Sequence, residues 1–248
     1  MRAMPTPFTH LHAAQRLLAD PLLPAATRDL LAAERPAFLL GSVAADARVP
    51  SGRRADTHFY AYDEPLRDHP WRVMLQQNPA LSPACGPAQR AFVAGYVAHL
   101  CMDEVWSLDM LAPYFAQGEW LTPSERFFML HVILIHMDER DYGLLDGWQR
   151  EALLAAQPAD WLPFMSDAIL REWRDFIGGQ LPPGHSQTLD VFGGRIKRAP
   201  AEFRATLDSP ATMQASLWDH VPLAALAAVE ARMYTFAREQ MQVYLDGV

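Results

Sequence analysis

Residues 92–110 read FVAGYVAHLCMDEVWSLDM, and this stretch decides the fold. Phe92, Tyr96, His99, Asp103, Trp106 and Met110 recur at intervals of four and three, which gathers them on one face of an α-helix. His99 and Asp103 stand about 400° of rotation apart, so their side chains leave the same face roughly one turn apart. Both sit inside an otherwise apolar stripe, between Tyr96 and Trp106. A carboxylate there is desolvated and needs a cation, a set of donors or a metal. Taken alone, the pair fits a hydrogen bond in a polar corner of the core better than a ligand pair, because motifs this short recur by chance.

Helix signals continue on both sides. Residues 11–19 form a short amphipathic run stopped by Asp20-Pro21. Thr27 caps a second helix through Glu34, and residues 37–47 are apolar around Gly41. Thr122-Pro123-Ser124-Glu125 announces a helix running through His131 and His136 to about Tyr142: Thr122 is the cap, Pro123 suits the first turn, and Glu125 completes a capping box. Further helices are expected over 147–157, 162–178, 198–206 and 222–245, while 48–82 and 179–197 read as irregular. No run alternates in the manner of a strand. The expected fold is all-α, one multi-helix domain over residues 1–248 with long connecting loops.

The bulk numbers agree with that reading and exclude several functions. Half of the 248 residues are hydrophobic and a fifth are charged, enough apolar matter for one sizeable core. The net charge is −8 with no dense Lys/Arg run, so stable nucleic-acid binding is not expected. No stretch reaches the ~20 uncharged apolar residues of a membrane span. The opening MRAMPTPFTHLH does not have the pattern of a secretory signal, so a cytoplasmic setting is expected. The two cysteines, Cys85 and Cys101, lie outside any CxxC pattern, which excludes a disulfide framework and a thiolate zinc site. GxSxG, P-loop, GxGxxG and HExxH signatures are all missing.

Four separated elements nevertheless agree in order. THLxxA begins at Thr9, FLLGSVAAD ends at Asp46, THF covers 57–59, and AGYVAHLCMDEVW covers 94–106. In order and spacing they resemble the zinc-dependent phospholipase C-like proteins, which are related to the single-strand nucleases of the P1 type. The resemblance covers residues 8–112. It implies a mostly helical, phospholipase C/P1 nuclease-like bundle with up to three zinc ions in a cleft. Residue by residue it implies His10, Asp46, His58, His99 and Asp103 as ligands, with Asp103 bridging two ions and Asp46 serving also as the catalytic base. Imidazole and carboxylate are the ligands zinc takes when thiolates are absent, although iron or manganese suits such a set too.

The chain also departs from the family pattern. The secreted phospholipases use a processed N-terminal amine as a ligand, whereas nine residues precede His10 here. A further His after the HxxxD pair and a later HxxxE pair are replaced: Ser107 and Asp109 occupy the first region, Ile135 follows His131 at the fourth position, and Arg140 follows His136. Asp109, His131 and His136 remain as possible further ligands, with His131 the expected one in the cleft. One to three ions are expected, with two fitting the surviving ligands best. The activity expected from the resemblance is hydrolysis of a phosphodiester or phosphomonoester, phospholipid-like or smaller, by metal-activated water. The alternative is a non-catalytic helical protein with a structural metal or a degenerate site, acting as an interaction module.

Overall fold

The computed structural model describes residues 6–61, 66–82 and 85–247. These are mostly helical, and no strand pairs form a sheet among them; a single isolated bridge joins Leu162 and Met165. In chain order the helices are α1 (Pro7–Leu18), α2 (Ala25–Ala33), α3 (Arg35–Ala44), α4 (Ala55–His58), α5 (Pro70–Gln77), α6 (Pro87–Trp106), α7 (Pro123–Tyr142), α8 (Gln149–Leu154), α9 (Asp167–Gln180), α10 (Thr188–Ile196), α11 (Pro200–Leu207), α12 (Pro210–Met213) and α13 (Leu223–Asp246). None is long and apolar enough to cross a membrane.

The start of α7 follows from its local chemistry. The Thr122 hydroxyl accepts from the Glu125 amide, and the Glu125 carboxylate accepts from the Thr122 amide at 2.8 Å, so two otherwise unpaired donors are satisfied reciprocally. α6 differs from the one-faced helix its spacing suggests. Every residue from Ala91 to Trp106 is buried, because α3 and α13 pack along it and α5 adds to the cover. A helix that is apolar on all sides belongs in the centre of a bundle.

Three sequence expectations are corrected. Thr27 is not a cap: it lies inside α2, buried, with its hydroxyl donating to the Gln242 side chain at 2.8 Å. Within 48–82, α4, α5 and a turn of 3₁₀ helix are ordered, each too short to show periodicity. Within 179–197, α10 forms despite Gly193-Gly194, because Gly193 lets the helix approach the Arg198 carbonyl oxygen; a Cβ there would sit 2.7 Å from it.

The contact that positions everything else is the crossing of α3 over α6. A Cβ placed on Gly41 would meet the Phe92 carbonyl oxygen at 1.9 Å, and one on Gly95 would meet the Phe38 carbonyl oxygen at 2.3 Å. Only hydrogen at both positions allows the two backbones to lie this close. Gly95→Ala is therefore expected to lower stability by about 1–3 kcal/mol or more, since backbone rather than a flexible side chain must yield. Gly179→Ala, exposed in α9 with open space at its Cβ, should instead raise stability by about 0.5–1 kcal/mol. Thermal melts of the two variants beside the parent check both signs.

Candidate metal centre

The glycine crossing puts the end of α3 against the middle of α6. His99 Nδ1 lies 2.9 Å from the Ser42 carbonyl oxygen, which can only accept, so Nδ1 carries the proton and Nε2 is turned away from α3. His58 is oriented by a similar chain. The Thr57 hydroxyl donates to the Arg54 carbonyl at 3.3 Å, so at 2.9 Å from His58 Nδ1 it accepts, and His58 Nε2 is left with its lone pair. Tyr96 holds that segment in place by donating from its hydroxyl to the Thr57 carbonyl at 2.6 Å. Phe59, with φ of 60°, ends α4 immediately after His58, and its ring packs edge-on against Phe164.

Five of the expected side chains meet. His58 Nε2 and His99 Nε2 are 3.4 Å apart, and Asp103 Oδ2 lies 3.4 Å from the first and 3.5 Å from the second. Asp46 Oδ1 is 3.5 Å from His58 Nε2. His10 stacks on His99 with ring centroids 3.8 Å apart and brings its Nε2 to 3.4 Å from Asp103 Oδ1. His10, His58, His99 and Asp103 are buried, while Asp46 is partly exposed.

This arrangement strains ordinary hydrogen bonding. His10 Nδ1 is buried without a hydrogen-bond partner, and His10 Nε2 and Asp103 Oδ1 face each other at 3.4 Å without forming a good hydrogen bond. Burying such atoms unpaired costs on the order of 1–3 kcal/mol each, so the cluster asks for a cation. A tetrahedral zinc ion with bonds of about 2.0–2.1 Å sets its ligand atoms about 3.3 Å apart. The spacings among His58, His99 and Asp103 match that edge, and two overlapping triads, His10/Asp46/His99 and His58/His99/Asp103, have ligand atoms within 4.8 Å of one another. The donor set fits a metal.

Electrostatics point the same way for His10, Asp46 and Asp103, whereas His99 is drawn towards its protonated form. Burial lowers the proton affinity of His10, and the charge of neighbouring His99 lowers it further. Burial also opposes protonation of His99, but the charge of Asp103 outweighs it and raises His99. Asp103 is held well below the usual carboxylate range: burial works against ionisation, while the charges of His99 and Arg54 favour it more strongly. Asp46 follows the same pattern, with His58 and His99 overcoming burial.

Arg54 is a member that sequence reading missed. Its guanidinium bonds to Asp103 Oδ2 and lies 3.8 Å from Asp46 Oδ1. The only sequence signal was indirect, the need of two buried carboxylates for a cation. The cluster opens on a cavity of about 680 Å³, to which Asp46, Arg54 and His58 contribute.

The other expected ligands are not brought together. Asp109 pairs with Arg232 on the surface. His131 lies between the rings of Phe127 and Phe192 and donates from Nδ1 to the Phe127 carbonyl at 2.7 Å; burial holds its pKa at about 4. His136 sits edge-on to Trp218. His12, two residues after His10 and about 200° round α1 from it, pairs with Asp141 at 3.4 Å. No family model, no curated protein and no solved structure matches the chain.

Asp138 also lines the cavity, apart from the cluster. It accepts from the Thr6 and Thr188 hydroxyls and from the Phe8 amide at 3.2 Å. Burial nonetheless dominates and raises its pKa to about 7. The native protein thus holds a proton that an unfolded carboxylate, with a pKa near 3.9, has already released. Stability from this group is full below about pH 4 and is lost as pH rises towards 7. Asp138→Asn is expected to match the parent in thermal melts at pH 4 and to be the more stable protein at pH 8.

Proposed function

We propose that the chain is a metal-dependent hydrolase of phosphoesters. The observation that carries this reading is the convergence of two histidine Nε2 atoms and an Asp103 oxygen at tetrahedral spacing beside a cavity. His58, His99 and Asp103 would hold one ion, and His10 and Asp46, which form the other triad with His99, would hold a second. When bound, such ions lower the pKa of a water molecule and offset charge on phosphoryl oxygens. Asp46 is ionised at neutral pH and faces the cavity, so it is the candidate acceptor for the proton that water gives up. Water oxygen would bond to phosphorus as the ester P–O bond breaks; the leaving alkoxide would take a proton from solvent, and Asp46 would return its own to solvent. The Arg54 guanidinium faces the same cavity and can pair with phosphoryl oxygens. Both cysteines are unpaired, which suits the reducing cytoplasm.

One observation favours the second reading, a structural or degenerate site. Arg54 already supplies a cation to Asp46 and Asp103. The two readings separate in one set of measurements. Protein purified without added metal is expected to carry zinc, iron or manganese by mass spectrometry and to hydrolyse bis(p-nitrophenyl) phosphate. Asp103→Ala and His99→Ala, folded by thermal melt, should each lose more than about a hundredfold in metal affinity, the upper end for loss of a ligand's outer partner. Unchanged metal content in those variants refutes the site, and bound metal without phosphoester turnover favours the structural reading.

A further inference from the structure

The cavity is much larger than the cluster at its edge requires. A volume of about 680 Å³ matches pockets that enclose a drug-sized molecule rather than a bare phosphoryl group. Its lining is also cationic in a chain whose net charge is −8: Arg48, Arg53, Arg54 and Arg195 face it, against the carboxylates of Asp46 and Asp138. Three of these charges are accounted for. Asp46 and Arg54 belong to the cluster, and Arg53 pairs with Asp56 at 3.0 Å. Asp138 commits both oxygens to Thr6, Thr188 and the Phe8 amide, so it does not neutralise an arginine.

Arg48 and Arg195 are left over. Among the described residues neither pairs with a carboxylate. Each lies over an aromatic ring instead, Arg48 at 4.8 Å from the centre of Phe176 and Arg195 at 5.3 Å from that of Phe192. A guanidinium stacked on a ring is held in orientation while its N–H donors stay available. Both rings belong to the wall formed by α9 and α10, which contribute no member of the cluster; Trp173, Ile177 and Val191 extend its apolar surface, with Gln180 and Thr188 as its polar uncharged members.

We infer that the cavity binds a ligand with two anionic groups joined by an apolar segment, one at the cluster and the second on Arg48 and Arg195. The place of the first anion rests on the phosphoester reading; the second does not depend on turnover. The apolar segment lies along Trp173, Phe176 and Phe192.

Calorimetric titration of the metal-loaded protein with an α,ω-alkane diphosphonate and with the alkane monophosphonate of equal length tests this, because phosphonates bind without being hydrolysed. The diphosphonate is expected to bind about tenfold or more tightly, as suits an added charge-assisted pair. Arg48→Gln combined with Arg195→Gln should abolish that preference and leave monophosphonate affinity unchanged. Arg72→Gln, exposed on α5 outside the cavity, removes a positive charge and should leave the preference intact. Equal affinities for the two phosphonates, or a preference that survives the double substitution, overturns the second anion site while the phosphoester reading stands. Binding of neither phosphonate overturns both.

Discussion

The close crossing of α3 and α6 is the constraint on which the rest of the structure depends. Gly41 and Gly95 remove the only atoms that would keep the two backbones apart. The approach places the Ser42 carbonyl on His99 Nδ1, which fixes the tautomer and aims Nε2 at Asp103 and His58. It also carries the end of α3, and with it Asp46, to the same point. A single packing contact thus sets both the core and the chemistry. That coupling explains why a methyl group added at Gly41 or Gly95, neither of them a cluster member, would still be felt at the site: interiors are too dense to absorb it locally.

The cluster is assembled from segments that are remote in the chain and rigid in place. His10 comes from α1, Asp46 from the turn after α3, His58 from α4, and His99 and Asp103 from α6. Second partners orient each ring or chain: Ser42 for His99, Thr57 for His58, and Tyr96 for the backbone that carries Thr57. Only His10 has no such partner, and it is held by stacking on His99 and by burial. Desolvation is costly at all of these positions, and mutual pairing offsets it without fully satisfying the donors and acceptors present.

Legibility in the sequence followed the range of the interactions involved. α6 and α7 were readable because periodicity and a capping box act within a few residues; α7 has the bounds that its Pro and cap signals suggest, whereas α6 gives way at Ser107 to a π-helical segment that holds Met110. α10 was not, because Gly193-Gly194 argues against a helix, while the turn that ends α10 folds the Arg198 carbonyl so close to Gly193 that a side chain there would clash. Four-residue α4 is shorter than any period. For the site, the five motif residues were found together because the resemblance carries their order, whereas helix geometry alone reached His99 and Asp103. Arg54 was invisible: its partner Asp103 is 49 positions away, and nothing in GRRAD distinguishes it from Arg53, which pairs with nearby Asp56. Asp109, His131 and His136 had the right chemistry and the wrong surroundings, and only packing reveals that.

Arg54 gives the protein a resting state as well as a site. Two carboxylates beside one another in a core repel and would push the helices apart or take up protons. With a guanidinium between them, the bundle can close before any ion arrives. On the proposed reading, an ion would enter beside carboxylates that Arg54 already balances, and it would compete with the guanidinium for Asp103. The surrounding helices would then owe their closure to a side chain of the protein itself and not to the ion.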